Sequence, residues 1–191
     1  ALRYGASGLG PRKENQDVAA LAIKDDPRIQ ARGVALVVCD GVGGEVGGQA
    51  AARIAAQTTL EYYYNHTPPE VSDPDEAALG TITDDPTALL EAAVRQAHQN
   101  VKAESAATPA HAHMATTVVA VAVRNGVLYT THAGDSRAYL LHANGTLDQV
   151  TRDHSWVAEQ VAAGVLTEEE ARQSAMRVVV TRSLGSAANN T

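Results

Sequence analysis

One short stretch, VALVVCDGVGG at residues 34–44, constrains the fold more than any other. Its first six residues are apolar and mostly β-branched, which is typical of a short strand buried on both faces. The run ends in Asp40, although a carboxylate that is buried without a partner is strongly destabilising. Five glycines fall within residues 41–48, and glycine lets the backbone approach a ligand closely or adopt a positive φ. We therefore predict a strand over residues 34–39 that ends in Asp40 beside an accessible backbone.

Three explanations fit Asp40 and its glycines. The carboxylate and a neighbouring backbone carbonyl would form an oxygen-rich ligand set, which suits Mg²⁺ or Mn²⁺. A phosphate-binding P-loop is disfavoured, because no Lys-Ser or Lys-Thr pair follows the glycines. A glycine-rich turn, with Asp40 capping the next helix, explains this stretch alone as well as a metal site does.

Composition excludes several classes of protein. The chain has 191 residues, 45% of them hydrophobic, which suits one sizeable domain. The formal net charge is -7 and no basic tract is present, which argues against nucleic acid as the main partner. Cys39 is the single cysteine, so an intrachain disulfide is excluded and a packed core thiol is expected. No apolar run approaches the roughly 18 residues of a membrane span, and we expect a cytoplasmic protein.

Periodicity and turn residues predict a layered α+β domain, in which helices cover a largely antiparallel sheet. Tight Asn-Gly turns indicate hairpins between the later strands. Residues 67–86 carry four of the seven prolines and are expected to form a surface connection. The predicted strands are 17–23, 34–39, 116–123, 127–134, 136–141, 146–151 and the beginning of 177–185; the predicted helices are 47–66, 87–105 and two short helices within 155–175 that are separated at Gly164.

The stretch RKENQD, residues 12–17, carries two candidate site residues. The fork-shaped guanidinium of Arg12 suits a phosphoryl group. Asp17 begins a predicted strand, and if that strand pairs beside residues 34–39, Asp17 and Asp40 meet at one edge of the sheet. The alternative is an ordinary polar loop.

Two further stretches, HAGDSRAYL and TRDHSW, interrupt predicted strands and precede a helix. Asp135 is either a site residue or part of a turn in which it pairs with Arg137. Asp153 or Ser155 is expected to cap the following helix. His154 is a candidate proton donor, with a purely structural role as the alternative.

Six stretches, taken in order, resemble successive motifs of the metal-dependent Ser/Thr protein phosphatases of the PPM (PP2C) type in their compact bacterial form. The resemblance runs from about residue 3 to residue 186, which is nearly the whole chain. The motifs are RKENQD, VVCDGVGG, ATT before VVAVAV, HAGDSRAYLL, VTRDHSWV and VVVTRSLGS.

The resemblance implies a single domain over residues 1–191 with a four-layer α-β-β-α architecture, two antiparallel sheets flanked by helices. It also implies a flap over residues 155–181 beside the active site, which influences the choice of substrate. Family members are monomers by default, and the resemblance implies phosphoprotein substrates that are phosphorylated by a bacterial Ser/Thr kinase.

The resemblance also implies a site with two Mn²⁺ or Mg²⁺ ions at one edge of the sandwich. Asp17 and Asp40, with the main-chain carbonyl of Gly41, match positions that hold these ions. Arg12 matches the arginine that clamps the substrate phosphate, and Asp135 matches a ligand of a third ion in bacterial members. The implied reaction is in-line attack on phosphorus by a hydroxide that bridges the two metals, without a phosphoenzyme.

The sequence departs from the family pattern at its end. Family domains continue for several tens of residues past the TRSLG motif and supply two further aspartates, whereas this sequence stops at Thr191. We expect a fragment of a full enzyme, with exposed apolar surface and unpaired strand edges. The alternatives are a deliberate truncation and a natural relative that has lost metal binding.

Smaller departures are apolar and tolerable. Val42 stands where many members carry Met or His, and Ala115 stands where Gly usually precedes the Thr pair. The HAH triplet at residues 111–113 is expected to be a solvated loop, because Mn²⁺ and Mg²⁺ prefer oxygen ligands. Two functional hypotheses remain besides a disfavoured generic metal-binding domain: a protein phosphatase, and a non-catalytic module that binds a phosphoprotein or a regulator.

Overall fold

The computed structural model describes residues 15–21, 27–42, 47–66 and 84–186. Arg12 and most of the predicted connection at 67–86 lie outside these ranges. The strands are β1 (Asp17–Leu21), β2 (Val34–Val42), β3 (Ala115–Thr116), β4 (Val118–Arg124), β5 (Val127–Ala133), β6 (Tyr139–Leu141) and β7 (Leu147–Gln149). The α-helices are α1 (Arg28–Arg32), α2 (Gly47–Asn65), α3 (Pro86–Ala107), α4 (Trp156–Ala162) and α5 (Glu168–Gln173), and two 3-10 helices span Pro109–His111 and Ala175–Val178.

Two antiparallel sheets organise the strands. The larger sheet has five strands in the order β1-β2-β4-β5, with the short β3 paired to the end of β2. The second sheet is the hairpin of β6 and β7. The predicted α+β class with two antiparallel sheets is therefore confirmed.

The core lies between the larger sheet and helices α2 and α3. Alternate residues of β2 face these helices, and Cys39 among them is fully buried, as predicted. Small side chains on α2 let the helix approach the sheet closely, and the stripe predicted on α3 is buried in full. The residues that define these two faces are Ala51, Ala52, Ala55 and Ala56 on α2 and Leu89, Ala93, Ala97 and Val101 on α3, each with an exposure of 0%.

The opposite face of the same sheet carries apolar side chains that are exposed, so the predicted burial of the strand on both faces is wrong: among the described residues, helices cover only one face of β2. Val38 and Val42 of β2 and Leu21 of β1 each expose 46% of their surface. Side chains alternate between the two faces of a strand, so Asp40 lies on this open face between Val38 and Val42. The candidate carboxylate thus belongs to the accessible face and not to the helix-covered core.

The segment after the second sheet is defined by its helix caps. Ser155 caps α4 by accepting a hydrogen bond from the backbone N–H of Ala158, which settles the choice between Asp153 and Ser155. Thr167 and Glu170 form the predicted capping box at the start of α5. Among the described residues, none of the helices is both long and apolar enough to cross a bilayer.

The strand predicted to begin at residue 177 was wrong. Ser174 accepts a hydrogen bond from the backbone N–H of Met176 and starts a 3-10 helix through Val178. A side chain that bonds the local backbone in this way competes with strand pairing, whatever the β-propensity of the valines that follow. Only isolated bridges remain, between Val180 and Ser155 and between Leu184 and Thr116.

Candidate functional site

The two carboxylates singled out in the sequence meet in the sheet. β1 and β2 are antiparallel, and their register places Asp17 directly opposite Asp40. Directly opposed residues have Cβ atoms about 4.5–5.5 Å apart on the same face of a sheet. The predicted convergence of Asp17 and Asp40 at one sheet edge is therefore present in the structure.

The main chain of Asp40 is held from the side of β3 and β4. Its N–H donates to Oγ1 of Thr117 at 3.0 Å, and its carbonyl accepts from the N–H of Thr117 at 2.9 Å. The hydroxyl of Thr116 donates to the same carbonyl at 3.0 Å. On the other side, the N–H of Gly41 donates to the carbonyl of Gln16 at 3.2 Å. These bonds fix the backbone of Asp40 without using its carboxylate.

The glycines after Asp40 allow a close approach of backbone to backbone. A Cβ on Gly41 would lie 2.1 Å from the carbonyl oxygen of Gly48, at the start of α2. A Cβ on Gly48 would lie 2.9 Å from Oε1 of Gln16. Gly41 and Gly48 are thus both required for α2 to begin directly against the end of β2. The role of the Gly41 carbonyl as a metal ligand stays a prediction.

Asp135 lies in the turn between β5 and β6, and Thr117 connects this turn to Asp40. Gly134 has a φ of 109°, and a Cβ there would lie 2.6 Å from Cγ2 of Thr117. Oγ1 of Thr117 lies 2.7 Å from Oγ of Ser136. One buried side chain therefore contacts both the Asp40 peptide and the turn that carries Asp135, so these two candidate residues belong to one end of the sheet.

Arg137 does not pair with Asp135, contrary to the alternative drawn from the sequence. Its guanidinium makes a two-pronged contact with Asp153, at 2.8 and 2.6 Å. These hydrogen bonds raise the pKa of Arg137 above its already high usual value. Asp135, Arg137 and Asp153 line a cavity of about 1080 Å³ between the β6–β7 hairpin and helices α4 and α5.

His154 lies beside this turn and is constrained by its neighbours. Its ring stacks on His132 with 4.6 Å between ring centroids, and its Nδ1 accepts from the N–H of Gly134 at 3.3 Å. Burial lowers the pKa of His154, and the nearby His132 and Arg182 lower it further. A proton-donor role for His154 stays a prediction, because its recorded contacts are structural.

The HAH triplet follows α3, and its first residue, His111, ends the 3-10 helix Pro109–His111. Nδ1 of His111 lies 2.8 Å from Oε1 of Glu104, within hydrogen-bonding distance. Among the residues that the structure describes, no three His, Cys, Asp or Glu side chains are grouped so as to hold a metal ion. Ala112 and His113 are exposed, and the interpretation of the triplet as a solvated loop without a metal stays a prediction.

The donor chemistry of the Asp17–Asp40 edge fits a hard divalent cation. Mg²⁺ is commonly bound through one or two carboxylates and retains several waters, so two opposed carboxylates suffice for this mode. Asp17 is exposed and Asp40 is half-buried. Arg12, the predicted phosphate clamp, lies outside the described residues.

Sequence reasoning missed the role of Thr117. In the sequence, the Thr pair belongs to the ATT motif, and its position next to a run of valines is typical of ordinary strand sequence. Thr117 is 1% exposed, and buried hydroxyls need partners. A threonine immediately before a fully apolar strand was the available signal.

We expect Thr117→Val to lower the free energy of unfolding by more than the small change in side-chain volume would by itself. The valine keeps the shape but leaves the N–H of Asp40 and the hydroxyl of Ser136 without their partner, which costs about 1–3 kcal/mol of unfolding free energy. Urea denaturation measures the loss. Thr59→Val is the matched control, because the hydroxyl of Thr59 donates to a helical carbonyl, that of Ala55, whose helical bonding survives. Equal losses in the two variants would contradict the connecting role of Thr117.

Comparison with known proteins identifies the family. The family described as Protein phosphatase 2C matches residues 5–187. Serine/threonine protein phosphatase PstP of Mycobacterium tuberculosis is 29% identical over 188 residues, which cover 96% of this chain and 31% of PstP. The chain thus spans about a third of that relative.

Solved structures agree. The M. tuberculosis serine/threonine phosphatase PstP/Ppp superposes with a TM-score of 0.69 at 28% identity, over 94% of this chain and 65% of that one. The catalytic domain of PstP in complex with two manganese ions gives a TM-score of 0.65 at 28% identity, over 91% and 62%. These likenesses confirm the predicted α-β-β-α phosphatase fold class. Because the family match covers nearly its whole length, the chain belongs to the protein phosphatase 2C family.

Proposed function

We propose that this chain carries the Asp17–Asp40 part of a metal-dependent protein serine/threonine phosphatase. The observation that carries the proposal is the register of β1 and β2, which sets Asp17 opposite Asp40 on the open face of the sheet. Two carboxylates side by side repel each other unless a cation lies between them. Membership of the protein phosphatase 2C family and the manganese-bound PstP relative support the same assignment.

Within this proposal, Asp17, Asp40 and the carbonyl of Gly41 hold two Mn²⁺ or Mg²⁺ ions, and Asp135 serves a third. Bound divalent cations offset the charge of a phosphate monoester and lower the pKa of a coordinated water, which supplies a nucleophile near neutral pH. Thr116 and Thr117 fix the main chain of Asp40. They hold the Cα of Asp40 in place and so limit the positions that its carboxylate can reach.

The single thiol of the chain is not placed to form a covalent intermediate with the substrate. Cys39 immediately precedes Asp40, but strand alternation places it on the helix-covered face with no exposed surface. Burial raises the pKa of the Cys39 thiol to about 12, so the reactive thiolate is absent near neutral pH. Arg12 is proposed to hold the equatorial phosphate oxygens in a two-pronged contact, and His154 remains a candidate donor to the leaving oxygen.

The proposed substrates are phosphoserine and phosphothreonine residues of proteins, made by a bacterial Ser/Thr kinase. The cavity beside Asp135 supports a polypeptide substrate, because its lining combines apolar side chains, Val157 and Val161 among them, with charged ones. We further propose a cytoplasmic monomer, a single domain over residues 1–191, and a flap over residues 155–181 on which the cavity is built.

A second candidate function is a non-catalytic module of the same fold that binds a phosphoprotein or a regulator. The observation that favours it is the ligand count. Within the described ranges, Asp17 and Asp40 have no third carboxylate or imidazole grouped with them to hold a metal. Such a module would keep the cavity beside Asp135 and lack turnover.

Metal dependence of hydrolysis separates the two candidates. We expect the protein at its full encoded length to hydrolyse p-nitrophenyl phosphate and a phosphothreonine peptide with Mn²⁺, and to lose this activity when a chelator removes the metal. Phosphate release measures turnover, and isothermal titration measures binding of the phosphopeptide. Turnover that persists in chelator would refute the metal mechanism, and phosphopeptide binding without turnover would establish the non-catalytic module.

A further inference from the structure

A small cavity at the base of the flap has neither Asp17 nor Asp40 in its lining. Its volume is about 190 Å³, enough for on the order of six waters, or for an oxyanion with a few waters. It lies between α3, the end of β5 and the two chain segments that enter and leave the flap. Its charged and imidazole-bearing lining residues are Glu91, Arg95, His98, His132, His154 and Arg182.

The two ends of the flap are joined at this cavity. The N–H of Thr181 donates to the carbonyl of His154 at 2.9 Å, and the N–H of Trp156 donates to the carbonyl of Val179 at 2.9 Å. His154 and Arg182 therefore stand next to each other, immediately before and after residues 155–181. A ligand held by both side chains would contact the two ends of the flap at once.

The backbone selects the tautomer of two imidazoles in the cavity. Nδ1 of His98 accepts from the N–H of Gly185 at 3.2 Å, and Nδ1 of His154 accepts from the N–H of Gly134 at 3.3 Å. A neutral imidazole that accepts at Nδ1 carries its proton on Nε2. Burial lowers the pKa of both histidines, with Lys102 adding to the effect at His98 and His132 and Arg182 adding to it at His154. Both rings are therefore neutral Nε2–H donors near pH 7.

These two donors are available to a ligand. Among the described residues, no group forms a hydrogen bond with Nε2 of His98 or of His154, and neither nitrogen is sealed from solvent. The exposed guanidinium of Arg182 likewise forms no ion pair within the described part of the chain. The cavity thus presents N–H donors and a cation, while the Nδ1 lone pairs of His98 and His154, which a metal would need, already accept from the backbone.

We propose that this cavity binds a small tetrahedral oxyanion of the phosphate or sulfate class. The anion would accept from Nε2 of His98 and of His154 and would pair with the guanidinium of Arg182. Charged hydrogen bonds of this kind are the strong ones in proteins. Glu91 is the single carboxylate of the lining, and it is outnumbered by Arg95 and Arg182.

Histidine NMR tests the proposal on the protein at its full encoded length in the presence of a chelator. Sodium phosphate and sodium sulfate are titrated at constant pH and ionic strength, with sodium chloride as the reference. We expect saturable shifts of the ring protons of His98 and His154 with both oxyanions. His142, which pairs with Asp148 in the β6–β7 hairpin, should stay unchanged and serves as an internal reference.

Matched arginine variants localise the anion. Arg182→Gln should weaken the apparent affinity about tenfold, as expected for loss of a charged hydrogen bond. Arg172→Gln removes a flap arginine that pairs with Glu169 outside this cavity, and should change the affinity by less than about twofold. Shifts that are linear, that chloride reproduces, or that Arg182→Gln leaves unchanged would overturn the proposal. The chelator removes any metal contribution, and His98 and Arg182 have no role in the proposed reaction, so a shift at His98 that depends on Arg182 distinguishes this cavity from the proposed phosphatase site.

Discussion

Asp40→Asn is expected to lower Mn²⁺-dependent kcat/KM for a phosphothreonine peptide by at least about a hundredfold, which corresponds to about 2.7 kcal/mol of transition-state stabilisation. The substitution removes one of two opposed carboxylates and keeps the shape of the side chain. The loss follows if Asp40 holds a cation that neutralises the phosphate. Phosphate release with saturating Mn²⁺, from the protein at its full encoded length, measures the effect.

The fold should survive this substitution, since Thr116 and Thr117 bond only the main chain of Asp40. In chelator, the variant should be as stable as the parent or slightly more stable, because like charges directly opposite in a sheet are destabilising. Added Mn²⁺ should raise the melting temperature of the parent and leave that of the variant unchanged. A melting temperature that responds to Mn²⁺ in the parent and not in the variant distinguishes loss of a metal ligand from general damage to the fold.

Asp148→Asn is the matched control for Asp40→Asn. Asp148 lies in β7 with a side chain that is 67% exposed, paired with His142, so its substitution should leave both activity and the Mn²⁺ response within about twofold of the parent. Full activity in Asp40→Asn would remove Asp40 from the proposed metal site. Equal losses in both variants would mean that net charge and not ligation is being measured.

The sequence allowed the main elements and the Asp17–Asp40 pair to be predicted, for an identifiable reason. A short apolar run that ends in an aspartate and glycines predicts a strand with an accessible end, although only one face of β2 is buried and Val38 on the other face is 46% exposed. Antiparallel pairing of β1 beside β2 then brings Asp17 to Asp40. The stripe on α3 was equally predictable, because helical periodicity fixes which of its residues face the sheet.

Contacts between residues distant in sequence could not be predicted in this way. The pairing of Arg137 with Asp153 and the connection from Thr117 to Ser136 depend on how the β5–β6 turn folds back on β4. The 3-10 helix at Ala175–Val178 depends on one serine hydroxyl, which outweighs the β-propensity of the valines. These features arise from contacts between distant residues or from a single side chain-to-backbone hydrogen bond, and hydrophobic periodicity predicts neither.

Gly134→Ala is expected to destabilise the protein by about 3 kcal/mol or more, because steric clash adds to backbone strain there. Gly134 has a φ of 109°, and the new Cβ would lie 2.6 Å from Cγ2 and 2.7 Å from Cβ of Thr117. Thr117 cannot move away without breaking its hydrogen bonds to Asp40 and Ser136. Urea denaturation measures the loss of unfolding free energy.

Gly145→Ala separates the clash from the backbone strain. Gly145 also has a positive φ, 87°, but a Cβ there meets nothing within 4 Å. Its cost should be confined to the left-handed conformation, about 1–2 kcal/mol. If the two variants lose equal stability, Thr117 does not hold the turn in place. If Gly134→Ala loses more stability, as expected, it should also weaken Mn²⁺ binding. The reason is that displacing Thr117 moves both the Asp40 peptide and the turn that carries Asp135. Gly145→Ala leaves both in place and should not affect Mn²⁺ binding.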